Sequence, residues 1–256
     1  MKLTKVSEAA MDRDAQWRVI EQHRRAVADV LDDLAPNEWE LPSLCANWRI
    51  RDVAAHIALA PQPPGPVDMV REGLRARGRF HRMNHDVSVR YADAKHDLAA
   101  EIRAHAASRK LPLVTNYRNI LFDIMVHGQD IAIPTGRRLE LPIEAAATAA
   151  VRVWTMGWPF WAKHRLEGFR LVATDADWAV GAGDEVCGRI ADLLLLTTGR
   201  SVVMPRLSGA GVGKLWMRLS YRNLVRGGAV ASRSRDRASC DAASQIIGGN
   251  GALIVE

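Results

Sequence analysis

The chain has 256 residues, of which 48% are hydrophobic and 25% are charged, a composition that is ordinary for a folded protein and argues against wholesale disorder. Its length allows one large domain or two smaller ones and excludes a peptide-like scaffold. The formal net charge of +6 invites a nucleic-acid or membrane-surface role. No run of five or more Lys or Arg occurs, however, so we expect neither nucleic acid nor a membrane as a partner.

Cysteine content and the first residues bear on the compartment. Cys45, Cys187 and Cys240 lie far apart without a CxxC pair, so neither a disulfide framework nor a thiolate zinc site is indicated. The N-terminal residues lack the apolar core of a signal peptide, and no apolar run approaches the ~18 residues that a membrane-spanning helix needs. We therefore expect a cytoplasmic protein.

The first part of the chain has helical periodicity. Apolar residues recur at three-to-four spacing over residues 9–34, and a second helix over 48–60 begins after Asn47 as its cap. The proline-rich segment 61–66 ends this second helix. Further helical patterns cover residues 67–79, 92–108, 116–132 and 142–165, the last with an expected kink at Pro159.

The second part alternates between apolar and polar residues. Two such runs, 169–173 and 178–182, predict a β-hairpin. A helix over 185–198, ended by Gly199, and a third strand over 215–221 are predicted to follow. The fold class is therefore α+β and mostly α: a helical domain over 1–165, a small α/β domain over 166–221, and a tail over 222–256 that we expect to be disordered.

The helix over 116–132 carries a narrow polar stripe. At ~100° per residue its polar side chains share an arc of only about 80°, and apolar residues occupy most of the rest. The stripe contains amide, carboxylate and imidazole side chains, namely Asn116, Asn119, Asp123, His127 and Asp130. A solvent-facing helix has a wider polar face rich in Lys and Glu, so this pattern favours a lined pocket inside a helical bundle.

Asp123 and His127 lie four residues apart, and this spacing places a carboxylate and an imidazole on one face, where both can bind one divalent metal. Asp130 is placed to accept the second ring N–H of His127, as a neighbour of a metal ligand commonly does. The same spacing is also compatible with an Asp–His hydrogen bond that only satisfies a half-buried histidine.

A metal site with an open position needs a third protein ligand. His56 is the best candidate because it lies in an apolar helix, where an unpartnered imidazole is costly to bury. Its alternative is a surface hydrogen bond to Asp52, one turn earlier. His23 lies on the apolar stripe of the first helix, and it could border the same cavity or be a core histidine.

Three segments resemble the mycothiol-dependent maleylpyruvate isomerase family of the DinB-like metalloenzyme superfamily. The first, Glu38 to His56, reads EWELPSLCANWRIRDVAAH, and the second, Asp123 to Gly136, reads DIMVHGQDIAIPTG. The third comprises Leu171 to Trp178 and the following stretch from Gly188 to Gly199-Arg200. Together the likeness spans about residues 15 to 220.

This resemblance implies a DinB-like four-helix bundle followed by a small α/β domain. It also implies a divalent metal, usually zinc, held by His56, Asp123 and His127, with mycothiol as the thiol cofactor. Family members commonly have glutamate where this chain has Asp123, so the ligand here is one methylene shorter. The implied reaction is addition of a metal-activated thiolate to a small electrophile, with isomerisation or S-transfer as the outcome.

Other site residues follow from the chemistry of such an electrophile. Arg82, Arg90 and Arg118 are candidates to bind a carboxylate, and Trp48 could form a wall of the pocket. Beyond the metal ligands we expect no separate catalytic residue, and we expect a monomer or a homodimer. The alternatives are a non-catalytic helical protein that binds a small molecule or a partner, and a basic regulator whose arginine-bearing tail contacts nucleic acid.

Overall fold

The computed structural model describes residues 11–62, 65–77, 79–111 and 115–221, so the predicted tail over 222–256 lies outside the described residues. Most of the described chain is helical, and the sheet is confined to its C-terminal part. The helices are α1 (Arg13–Asp32), α2 (Ile50–Leu59), α3 (Pro66–Arg75), α4 (Phe80–Ala94), α5 (Leu98–Ala104), α6 (Tyr117–Ala132), α7 (Ile143–Thr155), α8 (Ala162–Arg165), α9 (Ile190–Thr197) and α10 (212–221). The strands are β1 (Gly168–Ala173), β2 (Ala179–Gly181) and β3 (Gly183–Gly188), with 3-10 turns at Glu38–Glu40 and Ser201–Arg206.

The mostly α, α+β class is confirmed, and α6 is central to it. Helices α1, α2 and α7 pack against α6, and α4 and α5 pack against α2. The first turn of α6 is stabilised by a side-chain cap, because the Asn116 side chain accepts hydrogen bonds from the N–H groups of Arg118 and Asn119. None of the helices in the described part of the chain is long and apolar enough to cross a bilayer.

The three-stranded sheet has the order β2-β1-β3. The predicted hairpin is confirmed, since β1 and β2 pair antiparallel, whereas β1 and β3 pair parallel. One continuous cluster of buried apolar side chains joins this sheet and α9 to the helical part, and α7 packs directly on α9. This packing fixes the chain that follows α9 relative to α6.

Two predictions in the C-terminal part were wrong. Residues 185–188 belong to β3, and the helix predicted over 185–198 begins only at Ile190, whose N–H donates to the Asp175 carboxylate. Residues 215–221, predicted as a strand, lie in α10, where Val212, Leu215 and Leu219 face the core at helical spacing. Both errors arise because short apolar runs fit either period, and tertiary pairing decides between them.

Boundaries in the helical part also needed correction. Arg49 and not Asn47 caps α2, since Asn47 adopts a left-handed φ of 68° and the Asp52 carboxylate accepts the Arg49 N–H. The helix predicted over 92–108 is the end of α4 and the separate helix α5, whose first turn is capped by Asp97. The helix predicted over 142–165 ends at Thr155 and resumes at Ala162, instead of kinking at Pro159.

His23 is a buried histidine of α1. Its side chain is almost fully enclosed, and Nε2 has no hydrogen-bond partner among the residues that the structure describes. Burial lowers the pKa of His23 to about 4. Its neutral ring is therefore part of the core, as one of its two sequence-based interpretations held.

We expect this histidine to make folding sensitive to acid. Between pH 6.5 and 4 the unfolded chain binds a proton on His23 that the native state does not bind. The free energy of unfolding therefore decreases by about 3 kcal/mol as the pH is lowered through this range. In His23→Leu the difference between the unfolding free energies at pH 7 and pH 4, measured in urea, should shrink by that amount. His164→Leu, at a side chain that is 83% exposed, should leave the difference unchanged. Equal pH dependence in wild type and His23→Leu would contradict this assignment.

Candidate metal centre

The site begins with a solvent-accessible stripe on α6. Asn119, Asp123 and His127, spaced four residues apart, are half-buried, whereas the apolar side chains between them are buried. Four residues make about one turn, so these three side chains follow one another along one face. The polar stripe predicted from the sequence is thus present and open to a ligand.

His56 reaches this stripe from α2. Its Nε2 lies 3.2 Å from Oδ2 of Asp123. The alternative partner, Asp52, is engaged by Arg49, whose Nη2 and Nε donate to its two carboxylate oxygens at 2.7 and 3.0 Å. His56 therefore faces α6 and does not pair with Asp52.

His127 lies next to the other oxygen of the same carboxylate. Its Nε2 lies 3.4 Å from Oδ1 of Asp123, and the ring centroids of His56 and His127 are 4.8 Å apart. One ligand atom from each of the three residues lies within 4.8 Å of the other two. Tetrahedral zinc bonds of ~2.1 Å separate ligand atoms by roughly 3.4 Å, so this donor set fits a divalent cation.

Asp130 orients His127. Its Oδ2 lies 2.9 Å from Nδ1 of His127, and its side chain has no solvent exposure. An Nδ1–H that donates to this carboxylate leaves the lone pair on Nε2, which faces Asp123 and His56. The structure thus gives Asp130 the neighbour that the sequence predicted for it.

Arg200 is a site residue that the sequence reasoning missed. Its Nε and Nη2 donate to the two oxygens of Asp130 at 3.0 and 2.6 Å, and its Nη1 donates to the Thr198 carbonyl. It follows Gly199, whose φ of +97° ends α9 as predicted. The signal was available, because the Gly199-Arg200 pair closes the third segment of the family resemblance.

Cys45 also belongs to this cluster. Its thiol donates to Oδ2 of Asp130 at 3.0 Å, and its sulfur lies 3.6 Å from Nδ1 of His127 and accepts from Nη2 of Arg200. Cys45, His127 and Asp130 form a second group with ligand-type spacing. A cation there would face the Arg200 guanidinium, so the group of His56, Asp123 and His127 is the better cation site.

The electrostatics of the first group favour positive charge. Burial alone would raise the pKa of Asp123, but the imidazoles of His56 and His127 outweigh burial and hold that pKa well below its usual range. Burial alone would lower the pKa of His127, yet the nearby Asp123 carboxylate, Cys45 and the hydrogen bonds to Asp123 and Asp130 raise it well above its usual value. A bound cation would replace the proton that otherwise gives the His127 ring its positive charge.

Of the residues predicted to contact substrate, Trp48 lies against a proposed metal ligand, and the three arginines have other partners. Trp48 lies at the site, with its ring edge-on to His56 at 5.8 Å and to His85 at 5.5 Å. On α4, Arg82 pairs with Asp86 and Arg90 pairs with Glu72. Arg118 is exposed beside the Tyr117 ring. Arg82 and Arg90 thus have carboxylate partners within the protein, and Arg118 lies against an aromatic ring.

The chain is thus a mostly helical protein in which two histidines and one carboxylate lie close enough together to hold a divalent cation. Residues 20–132 match the family model of the mycothiol maleylpyruvate isomerase N-terminal domain. This match confirms the resemblance seen in the sequence over residues 20–132.

Two solved structures are also similar to the chain. They are a crystal structure of the mycothiol-dependent maleylpyruvate isomerase and one of its histidine-to-alanine mutant, with TM-scores of 0.47 and 0.46. Each is 15% identical and covers 78% of this chain and 93% of its own. Among curated proteins, no significant match is found.

The Asp130–Arg200 pair gives a stability prediction. Arg200→Met leaves a fully buried carboxylate without its cation, so we expect a loss of about 3 kcal/mol in the free energy of unfolding at pH 7. Lys214→Met removes an exposed partner of Asp184 and should cost less than about 1 kcal/mol. If urea unfolding showed the same small loss of unfolding free energy in Arg200→Met and in Lys214→Met, the role given to Arg200 would be contradicted.

Proposed function

We propose that this protein is a metal- and thiol-dependent enzyme that activates the thiol of mycothiol for addition to a small electrophile, as an isomerase or an S-transferase. The observation that carries the proposal is the convergence of His56 and His127 on the Asp123 carboxylate within the matched domain. Zinc is the metal we propose, because two imidazoles and one carboxylate are a ligand set of catalytic zinc sites.

The chemistry to be supplied is thiol deprotonation. A free thiol has a pKa near 8.5 and is mostly protonated at neutral pH, whereas a divalent metal with an open position deprotonates a coordinating thiol. Here His56, Asp123 and His127 would hold such a metal, and the thiol would bind as a further ligand. The cysteines of the chain are not needed as nucleophiles.

The surrounding residues hold these ligands in place. Asp130 fixes the ring of His127 through Nδ1, and Arg200 fixes Asp130 through two hydrogen bonds. Trp48 lies against His56 and limits the space on that side of the site. The ligands are therefore set before a metal or a thiol arrives, which reduces the ordering cost of binding.

The proposed reaction is addition of a thiolate to a conjugated double bond, which moves the electron pair onto the activating carbonyl group. Rotation and elimination then return the thiolate and give the geometric isomer. Protonation of the adduct instead leaves the sulfur attached and completes an S-transfer. The same site serves both outcomes, so the identity of the electrophile decides between them.

We place this activity in the cytoplasm, where thiols stay reduced, in agreement with the free thiols of Cys45 and Cys187. The partners of the proposed enzyme are the thiol cofactor and the electrophile. A monomer or a homodimer remains our prediction for its assembly.

Metal analysis of purified variants tests the site. We expect about one equivalent of divalent metal in the wild type and loss of at least tenfold in affinity in His56→Ala, His127→Ala and Asp123→Ala, since each removes a ligand. Asp130→Asn keeps all three ligands and should weaken binding 10- to 100-fold by disturbing His127. His164→Ala, at an exposed position, is the matched histidine control and should bind like the wild type.

Turnover then separates an enzyme from a binding protein. A metal-loaded wild type that converts a conjugated electrophile only with added mycothiol, and an Asp123→Ala variant that does not, would support the proposal. A protein that binds no metal, or whose three ligand variants bind it like the wild type, would overturn it. Metal binding without thiol-dependent turnover would leave the non-catalytic alternative standing.

A further inference from the structure

Arg152, in the last turn of α7, is held by a neutral partner. Its Nε donates to Oδ1 of Asn119 at 2.8 Å. The amide of Asn119 donates in turn to the Thr115 hydroxyl at 3.1 Å. Within the part of the chain that the structure describes, neither Nη group of Arg152 makes a hydrogen bond or an ion pair.

Arg152 lies beside the candidate metal centre. Asn119 is one helical turn before Asp123 on the half-buried stripe of α6, which places their Cβ atoms about 6 Å apart. Helices α6 and α7 pack against each other, and the Asn119 contact ties the end of α7 to the start of α6. The guanidinium therefore flanks the same accessible stripe that carries the predicted metal ligands.

The charge of Arg152 is not compensated by a described carboxylate. Two other half-buried arginines have acidic partners: Arg49 pairs with Asp52, and Arg137 pairs with Glu38. A guanidinium remains charged at any physiological pH, and its two Nη groups can donate to both oxygens of a carboxylate. Arg152 thus offers a positioned and unsatisfied binding site for an anion.

We propose that Arg152, positioned by Asn119, binds a carboxylate of the electrophile while the reacting carbon lies at the metal centre. This inference rests on the proposed function and adds to it the residue that would hold and select an acidic electrophile. The carboxylate group would lie one helical turn along α6 from Asp123, a few bonds from the reacting carbon. A neutral ester of the same acid would lose this contact.

Two substitutions separate ligand binding from a structural role. Arg152→Met removes the guanidinium. Asn119→Asp keeps a hydrogen-bond acceptor for Nε but adds a carboxylate that neutralises the guanidinium by ion pairing. A merely structural Arg152–Asn119 contact would survive Asn119→Asp, whereas an anion site would be lost. Arg170→Met, which removes a half-buried arginine of β1 that pairs with Glu185, is the matched control.

The probe is maleate, a conjugated dicarboxylate, with its dimethyl ester as the uncharged comparison. Calorimetry on the full chain after chelation measures maleate binding without metal. Steady-state kinetics on the metal-loaded protein with mycothiol measures kcat/KM for both compounds. We expect Arg152→Met and Asn119→Asp each to weaken maleate binding and to lower its kcat/KM about 10- to 100-fold, the range for a charge-assisted hydrogen bond. The ester should be affected less than about threefold, and Arg170→Met should change neither.

The outcomes keep this inference distinct from the proposed function. Maleate that binds the wild type and both variants equally, or does not bind the wild type, would overturn the anion site even if thiol-dependent turnover is found. Arg152-dependent maleate binding without metal binding or turnover would support the anion site and overturn the proposed function. A loss in Arg152→Met that Asn119→Asp does not share would show a role in packing and would also overturn the inference.

Discussion

The carboxylate of Asp130 is fully buried, and side chains from three separate parts of the chain converge on it. His127 comes from one turn earlier on α6, Cys45 from the loop before α2, and Arg200 from the end of α9. Burial alone would raise the pKa of Asp130, but the hydrogen bond to His127 and the charge of Arg200 hold it well below its usual range. A buried carboxylate is tolerated only with such partners, so the loop, α6 and the segment after α9 must assemble together.

This constraint reaches the proposed chemistry through His127. With Nδ1 engaged by Asp130, only Nε2 of His127 can face Asp123 and His56. The C-terminal part of the fold therefore contributes to a centre whose proposed ligands all lie in the helical part. Continuous packing of α7 on α9 holds Arg200 at the required position. The C-terminal part of the chain thus positions Arg200 behind a proposed metal ligand, although it contributes none of the ligands itself.

Local signals predicted the helical half of the site well. The narrow polar stripe and the spacing of Asp123 and His127 are both properties of one helix, and each is found as expected. Arg200, Cys45 and Arg152 were missed because their roles depend on contacts between residues 33 to 155 positions apart. The same reason explains why β3 and α10 were predicted wrongly. Residues 185–188 form a strand because they pair with β1. Residues 212–221 form a helix because Val212, Leu215 and Leu219 pack against the core at helical spacing. Periodicity within a short window carries no information about such partners.

The central claim is that two histidines and one aspartate, and no cysteine, hold the metal. X-ray absorption at the zinc edge, recorded on the zinc-loaded protein before any thiol is added, tests it most directly. The account predicts nitrogen and oxygen neighbours at about 2.0–2.1 Å without a sulfur shell, and a sulfur shell at about 2.3 Å only after mycothiol is added. A sulfur neighbour in the thiol-free protein would place the metal at Cys45 and contradict the account.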